Sequence, residues 1–186
     1  MNVKTVNRTP FGPVALAWSG EANGPLITRV LIASENSSAE NRAAKLYPHV
    51  AASSCRDVDQ VADRIAAFLD GSAVAFSLDL LALDLCGTFR EKVLRATHGI
   101  ARGRVATYGG LAAHVGCPGG ARAVGNAMAT NLFPLIVPCH RVIRADLSLG
   151  SYGGGAEMKR GLLALEGVVP DARGQAPETQ VVFGGR

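Results

Sequence analysis

The chain has 186 residues, 48% of them apolar, enough for one large domain or two small ones around a sizeable core. Its four cysteines form no CxxC pair and its four histidines show no ligand spacing, which argues against a disulfide framework and gives a metal site no support. Residues 1–86 carry seven Lys/Arg against nine Asp/Glu and residues 87–186 twelve against six, so the net charge of +4 hides an acidic half and a basic one. A basic half of this kind suits a polyanion, or is simply a solvated face.

No apolar run approaches the ~20 residues of a membrane span, and residues 1–9 are polar rather than leader-like, so a soluble, cytoplasmic protein is expected. No large exposed apolar stripe is evident, which points to a monomer.

In chain order, Thr9-Pro10-Phe11-Gly12-Pro13 is turn chemistry between two β-rich runs, and residues 14–18 and 27–32 read as strands. Residues 37–46 and 58–69 have helical spacing. In the second, Val58, Val61, Ile65, Ala66, Phe68 and Leu69 make an apolar stripe that Gly71 closes. Residues 76–85 alternate less cleanly and fit a last strand or a linker. Nothing here carries chemistry, so residues 1–86 are expected to be an N-terminal α/β scaffold domain with a short sheet.

Thr88-Phe89-Arg90-Glu91 fits a capping box and starts a helix whose apolar face is Phe89, Val93, Leu94, Thr97 and Ile100, ended by Gly103. Thr107 can cap a short helix over residues 108–115, and Gly116-Cys117-Pro118 breaks the chain before a helix of small residues over 119–128. Helix, tight turn and small-residue helix outline a helix-turn-helix. The second helix has little to bury and few long polar side chains to reach base edges. Gly120, Ala121, Ala123 and Gly125 instead allow close backbone approach, with Arg122 as the one long projection, a shape suited to a narrow minor groove. A Gly-rich loop at 150–155 and a helix over 157–166 follow. The expected class is α/β (α+β): the N-terminal α/β domain, then a mostly helical, winged-helix-like domain over 87–170. Residues 171–186 are expected to be a peripheral, mobile tail.

Ile136-Val137-Pro138-Cys139-His140-Arg141-Val142 sets a thiol beside an imidazole in an apolar run. A thiol attacks only as thiolate, and an apolar setting alone would disable it, so a base is required and His140 is the obvious one. Neighbours on an extended chain point to opposite faces, so direct contact needs a turn or a bridging water. An acid would orient the imidazole; Glu157, Glu166 and Asp146 are available, and Glu166 ends an apolar turn that favours turning inward. A buried structural cysteine fits the spacing equally well.

With GRVATYGGLA, GARAVGNAM, N-x-x-P-L-I-V-P-C-H-R-V-I and GSYGGG in this order, residues 88–167 resemble the catalytic domain of the O6-alkylguanine-DNA alkyltransferases, the methylated-DNA–protein-cysteine methyltransferases. The N-terminal half is similar to the family's other domain mainly through Thr9-Pro10-Phe11-Gly12. The resemblance implies that Cys139 accepts the alkyl group irreversibly, one turnover per molecule, with His140 deprotonating it through a water and Glu166 holding the imidazole. It further implies that Asn131 ties the helix-turn-helix to the site, that Tyr108 presses on the target phosphate and lines the pocket, and that Lys159 lies near the cysteine. Arg122 would fill the base stack, with Ala121, Ala123 and Gly125 against DNA. Pro134, Val142, Tyr152, Gly153 and Gly154 would line the pocket, and carbonyls of Cys139 and Val142 would receive the guanine amine. No cofactor and no metal is implied. The partner is double-stranded DNA carrying O6-alkylguanine, with O4-alkylthymine left open.

Each position also has a plainer reading: Tyr108 as packing, Asn131 as a helix cap, Arg141 as half of an ion pair, Lys159 as a solvated residue. Two positions depart from the family's pattern. Leu147 stands where a tight turn would favour glycine, so the turn must differ or carry strain. Gly153 stands where some members have a serine, leaving a backbone amide to serve. A lesion sensor on the same fold would lack Cys139. A transcription regulator would need base-reading side chains, and a Cys-His hydrolase would not need Arg122.

Overall fold

The computed structural model describes residues 1–7, 9–21 and 24–184, and its contacts divide the chain into two compact units. The first comprises residues 1–85 and 132–136, the second residues 86–131 and 137–186. The chain thus returns briefly to the first unit just before the cysteine, so the second is not the contiguous 87–170 segment the sequence suggests.

In the first unit β1 (Asn2–Val6), β2 (Val14–Glu21) and β3 (Gly24–Leu31) form an antiparallel sheet in that order, with one register shift at Ala17/Trp18. Ala15, Leu16 and Ala17 are all buried, which explains an unbroken apolar run where a half-buried strand would alternate. Helix α1 (Ala39–Leu46) is capped by Ser38, whose side chain accepts from the Asn41 amide. Helix α2 (Arg56–Leu69) buries Val58, Ala62, Ile65, Phe68 and Leu69, close to the stripe read from its period. Residues 76–85 form no strand of a sheet; Leu81 makes one isolated bridge to Ile27. Val30 donates to the Leu132 carbonyl at 2.7 Å, tying in the returning segment.

The second unit opens with α3 (Thr88–His98). The capping box does not form: Gly87, at φ 73°, is the N-cap, no side chain caps the first turn, and Glu91 pairs with Arg95 at 2.7 Å. The helix ends at Gly99, before the expected Gly103. β4 (Val105–Thr107) leads directly into α4 (Tyr108–His114), where the Thr107 hydroxyl accepts from the Gly110 amide at 3.0 Å. After the turn, α5 (Ala121–Ala129) buries Val124, Ala127 and Met128, so this helix of small residues still contributes to a core. β5 (Val142–Ile143) follows the cysteine, and α6 (Ala156–Leu165) comes next.

The tail is not peripheral. β6 (Val181–Phe183) pairs parallel with β4, completing a three-stranded sheet in the order β5-β4-β6. Ala176 is 2% exposed within a cluster of Val105, Ile143, Leu149, Leu163 and Val168. The tail's apolar residues are few, but they fill the edge that β4 would otherwise leave open. Gly185 and Arg186 lie outside the described residues. Among the described residues no helix is long and apolar enough to cross a membrane, and no group of His, Cys, Asp and Glu could hold a metal ion.

Candidate active site

Pro138 precedes a 3₁₀ turn, Cys139–Arg141, that feeds β5. The turn is closed by the Arg141 amide donating to the Pro138 carbonyl at 2.9 Å. Consecutive side chains in such a turn leave the axis about 120° apart, so thiol and imidazole diverge and a water is the natural bridge between them. Cys139 is 7% exposed. Burial pushes its thiol above the ordinary range, opposed by a hydrogen bond from the Asn131 side chain and the nearby Lys159 charge.

His140 is fully buried. Its Nε2 lies 3.0 Å from Glu166 Oε1. Because the carboxylate can only accept, Nε2 carries the proton and Nδ1 the lone pair. Burial lowers the His140 pKa despite the Glu166 charge, so the ring is a neutral base at pH 7. Glu166 caps the C-terminal end of α6. Burial alone would raise its carboxyl, but hydrogen bonds and charge from His140 and Arg141 outweigh that and hold it at about 2.

The role of Arg141 is the site feature that the sequence read least fully. It grips both Glu166 oxygens, Nε to Oε2 at 2.8 Å and Nη2 to Oε1 at 2.7 Å, and also donates to the Ile100 carbonyl. Its ion pair was foreseeable in kind; the partner, 25 residues away, was not.

Lys159, on α6, is wholly buried and donates from Nζ to the Val142 carbonyl at 2.7 Å. Burial lowers its pKa to about 8, partly offset by the Cys139 charge. The Val142 carbonyl therefore already has a donor, and only its second lone pair could meet a guanine amine. The Cys139 carbonyl likewise accepts from the Val142 amide. Asn131, just past α5, donates to the Val137 carbonyl at 3.0 Å, fixing the chain two residues before the cysteine.

Tyr108 begins α4 half-buried, its hydroxyl pKa raised first by burial and then by Cys139. The Tyr152 ring meets His140 edge-on at 6.4 Å, and its buried hydroxyl has no hydrogen-bond partner among the described residues. Gly153 is exposed, with open space where a Cβ would stand, whereas a Cβ at Gly154 would meet Met158. Pro134 is buried in the 132–136 segment and packs with the first unit.

On α5, Arg122 is exposed and makes no ion pair among the described residues, Ala123 is exposed, and Ala121 and Gly125 are partly so. A Cβ on Gly125 would meet nothing within 4 Å. Leu147 takes φ 66°, the strained alternative for its turn, which Asp146 supports by accepting from the Ser148 amide at 3.0 Å.

The family model for "6-O-methylguanine DNA methyltransferase, DNA binding domain" matches residues 88–168. A methylated-DNA–protein-cysteine methyltransferase of Methanothermobacter thermautotrophicus is 41% identical over 111 residues, 60% of this chain and 62% of that protein. One from Mycobacterium leprae is 44% identical over 108 residues, 58% of this chain and 64% of that protein. The aligned stretches thus span under two thirds of these relatives. A crystal structure of Mycobacterium tuberculosis OGT in complex with DNA matches with a TM-score of 0.71 at 33% identity, covering 89% of this chain and 92% of that one. The O6-methylguanine-DNA methyltransferase of Pyrococcus kodakaraensis matches with a TM-score of 0.68 at 26% identity, covering 89% and 99%.

Proposed function

Because this chain belongs to the methylated-DNA–protein-cysteine methyltransferase family, we propose that it repairs O6-alkylguanine in duplex DNA by moving the alkyl group onto its own Cys139. It would act as a cytoplasmic monomer with no cofactor. The observation that carries this reading is the buried His140–Glu166 couple at 3.0 Å, next in sequence to a buried thiol.

The reaction follows from the charges present. His140 Nδ1, through a water, takes the thiol proton, and the Glu166 carboxylate stabilises the resulting imidazolium. The thiolate, favoured by Lys159 and Asn131, attacks the alkyl carbon in line with its bond to guanine O6. A carbon–sulfur bond forms, the carbon–oxygen bond breaks, and the electron pair leaves with the guanine. The departing guanine anion takes up the proton that the thiol gave to His140, relayed by water, so the step ends with neutral guanine, neutral imidazole and a thioether. Tyr108, kept protonated by its raised pKa, presses on the target phosphate. No group in the site can hydrolyse the thioether, so each molecule acts once.

To reach Cys139 the base must leave the stack. The exposed Arg122 on a helix of small residues is the side chain to occupy the gap, with Ala121, Ala123 and Gly125 letting the α5 backbone approach the minor groove. Tyr152, Gly153 and Gly154 would border the flipped base. Intact mass after mixing with a duplex containing one O6-methylguanine tests the reading. A single gain of about 14 Da, absent in Cys139→Ala, is the expected result. Tight lesion binding without any gain would instead make the protein a sensor.

A further inference from the structure

The tail beyond residue 168 lies outside the family match, yet it touches three parts that carry the proposed chemistry. First, it braces the turn after β5. The Ala176 amide donates to the Leu147 carbonyl at 2.9 Å, and Gln175 Nε2 donates to the Asp146 carbonyl at 2.6 Å. That turn holds Leu147 at positive φ and leads into the loop bearing Tyr152. Second, Gln180 Nε2 donates to the carbonyl of Gly167, the residue after Glu166.

Third, the tail runs along α4, its backbone against the first turn at Thr107 and Gly110 and the Phe183 ring on the helix's last residue, His114. The Phe183 ring stacks on His114 with centroids 4.1 Å apart and planes inclined by 22°. The Thr107 hydroxyl, already the cap of α4, reaches the Phe183 carbonyl at 3.4 Å. Backbone touches backbone here: a Cβ on Gly110 would lie 2.3 Å from the Phe183 carbonyl carbon, and one on Gly184 would lie 2.2 Å from the Thr107 hydroxyl. Gly184, at φ 85°, needs glycine for its conformation as well. Tyr108 is the first residue of the helix so clamped.

We propose that residues 171–184 form a positioning strap for alkyl transfer, with Phe183 setting α4, and hence Tyr108, and Gln175 setting the Asp146–Leu149 turn. Phe183 is a positioning residue: it acts through α4 and reaches no reacting atom. The inference rests on the alkyl-transfer reading and adds that this chain's competence depends on a segment beyond the family's matched region.

Of the three contacts, those of Phe183 and Gln175 are the ones tested, and two substrates separate them. Free O6-benzylguanine needs the pocket loop but offers Tyr108 no phosphate to press on and needs no helix-turn-helix seated on DNA; a duplex carrying O6-methylguanine needs all three. Single-turnover rates of Cys139 alkylation, read by intact mass on the full chain, are measured with each. Phe183→Ala is expected to slow the duplex reaction about ten-fold and leave the free-base reaction within about two-fold. Phe183→Tyr, which keeps the ring stack, restores the duplex rate. Gly110→Ala lifts the strap from the other side while placing a better helix former in α4, and it should reproduce the Phe183→Ala pattern. Gln175→Ala should slow both reactions.

Phe183→Ala reacting with the duplex at the wild-type rate overturns the strap. So does an equal slowing of both substrates together with a lowered melting temperature, which would make the tail general ballast for the fold. Wild-type protein that alkylates with neither substrate removes the proposal along with the reading beneath it, a result distinguishable because no variant is then needed.

Discussion

Arg141 and Glu166 form a two-point clamp, Nε on Oε2 at 2.8 Å and Nη2 on Oε1 at 2.7 Å, with the carboxylate side chain wholly buried. The clamp leaves Oε1 facing His140 as well, so one carboxylate orients both the base and the turn that carries the cysteine. Removing either partner would strand the other's charge away from water, which is why such pairs are costly to break.

Acid stability should therefore depend on Glu166. Its folded pKa of about 2 lies below the 4.5 of an unperturbed glutamate, so the stabilisation is complete above pH 4.5 and is lost as the pH falls toward 2. The shift corresponds to about 3 kcal/mol. Denaturant melts of wild type and Glu166→Gln should differ by that order at pH 7 and converge near pH 2–3; parallel curves across the whole range would refute the assignment.

Lys159 behaves in the opposite sense. Its folded pKa of about 8 lies below 10.5, so its buried charge opposes folding below pH 8, and wild type should gain stability between pH 8 and 10.5. Lys159→Met should flatten that rise. The same change removes a charge favouring the thiolate, so alkyl transfer at pH 7 should slow about ten-fold, the effect of one pKa unit on the thiol. A variant as fast as wild type would reduce Lys159 to a tether for the Val142 carbonyl.

The outer face of α5 separates folding from DNA contact. Gly125 has open space where a Cβ would stand, so Gly125→Ala should raise stability by about 0.5–1 kcal/mol through helix propensity. It should also weaken binding to lesion-bearing duplex, measured by fluorescence anisotropy. Arg122→Ala should slow the duplex reaction at least ten-fold, on the order of the cost of an unfilled stack, and spare free O6-benzylguanine. An unchanged duplex rate would take Arg122 out of base extrusion.

Leu147 and Leu149 sit two residues apart yet should respond differently. Leu147 at φ 66° carries about 1–2 kcal/mol of backbone strain while packing half-buried on the core cluster. Leu147→Gly trades one for the other and should change stability by less than about 1 kcal/mol. Leu149, 9% exposed in the same cluster, should cost about 2–4 kcal/mol as Leu149→Ala. Thermal melts of the two variants check the contrast.

What the sequence disclosed follows the length over which a pattern can repeat. The stripe of α2 runs fourteen residues and is readable on its period, and Thr107 before α4 is a cap by residue type alone. The strands of the second sheet have three, two and three residues, too few for any period. Their pairing is set by the partners rather than by their own composition, and so the tail looked peripheral. Gly87 displaced Thr88 from the N-cap because a glycine at positive φ enters the helix without a side-chain cap. At the site, adjacency singles out Cys139 and His140 as a candidate pair, though the same spacing fits a buried structural cysteine. Glu166 could be favoured for its apolar neighbours, but its grip by Arg141 spans 25 residues and belongs to the fold.

The burial of Cys139 also bears on the protein's shelf life. On the proposed alkyl transfer, a molecule that reacts once must not be consumed by peroxide, disulfides or stray electrophiles beforehand. Those reagents attack thiolate, and a thiol 7% exposed with its pKa raised by burial offers them little of it. The neighbouring base and cation are in place, but both are buried with it, so ionisation is of use chiefly to a reagent that fits the pocket. The reluctance of the thiol is thus a form of chemical discretion, holding the one reaction in reserve for a guest that can enter.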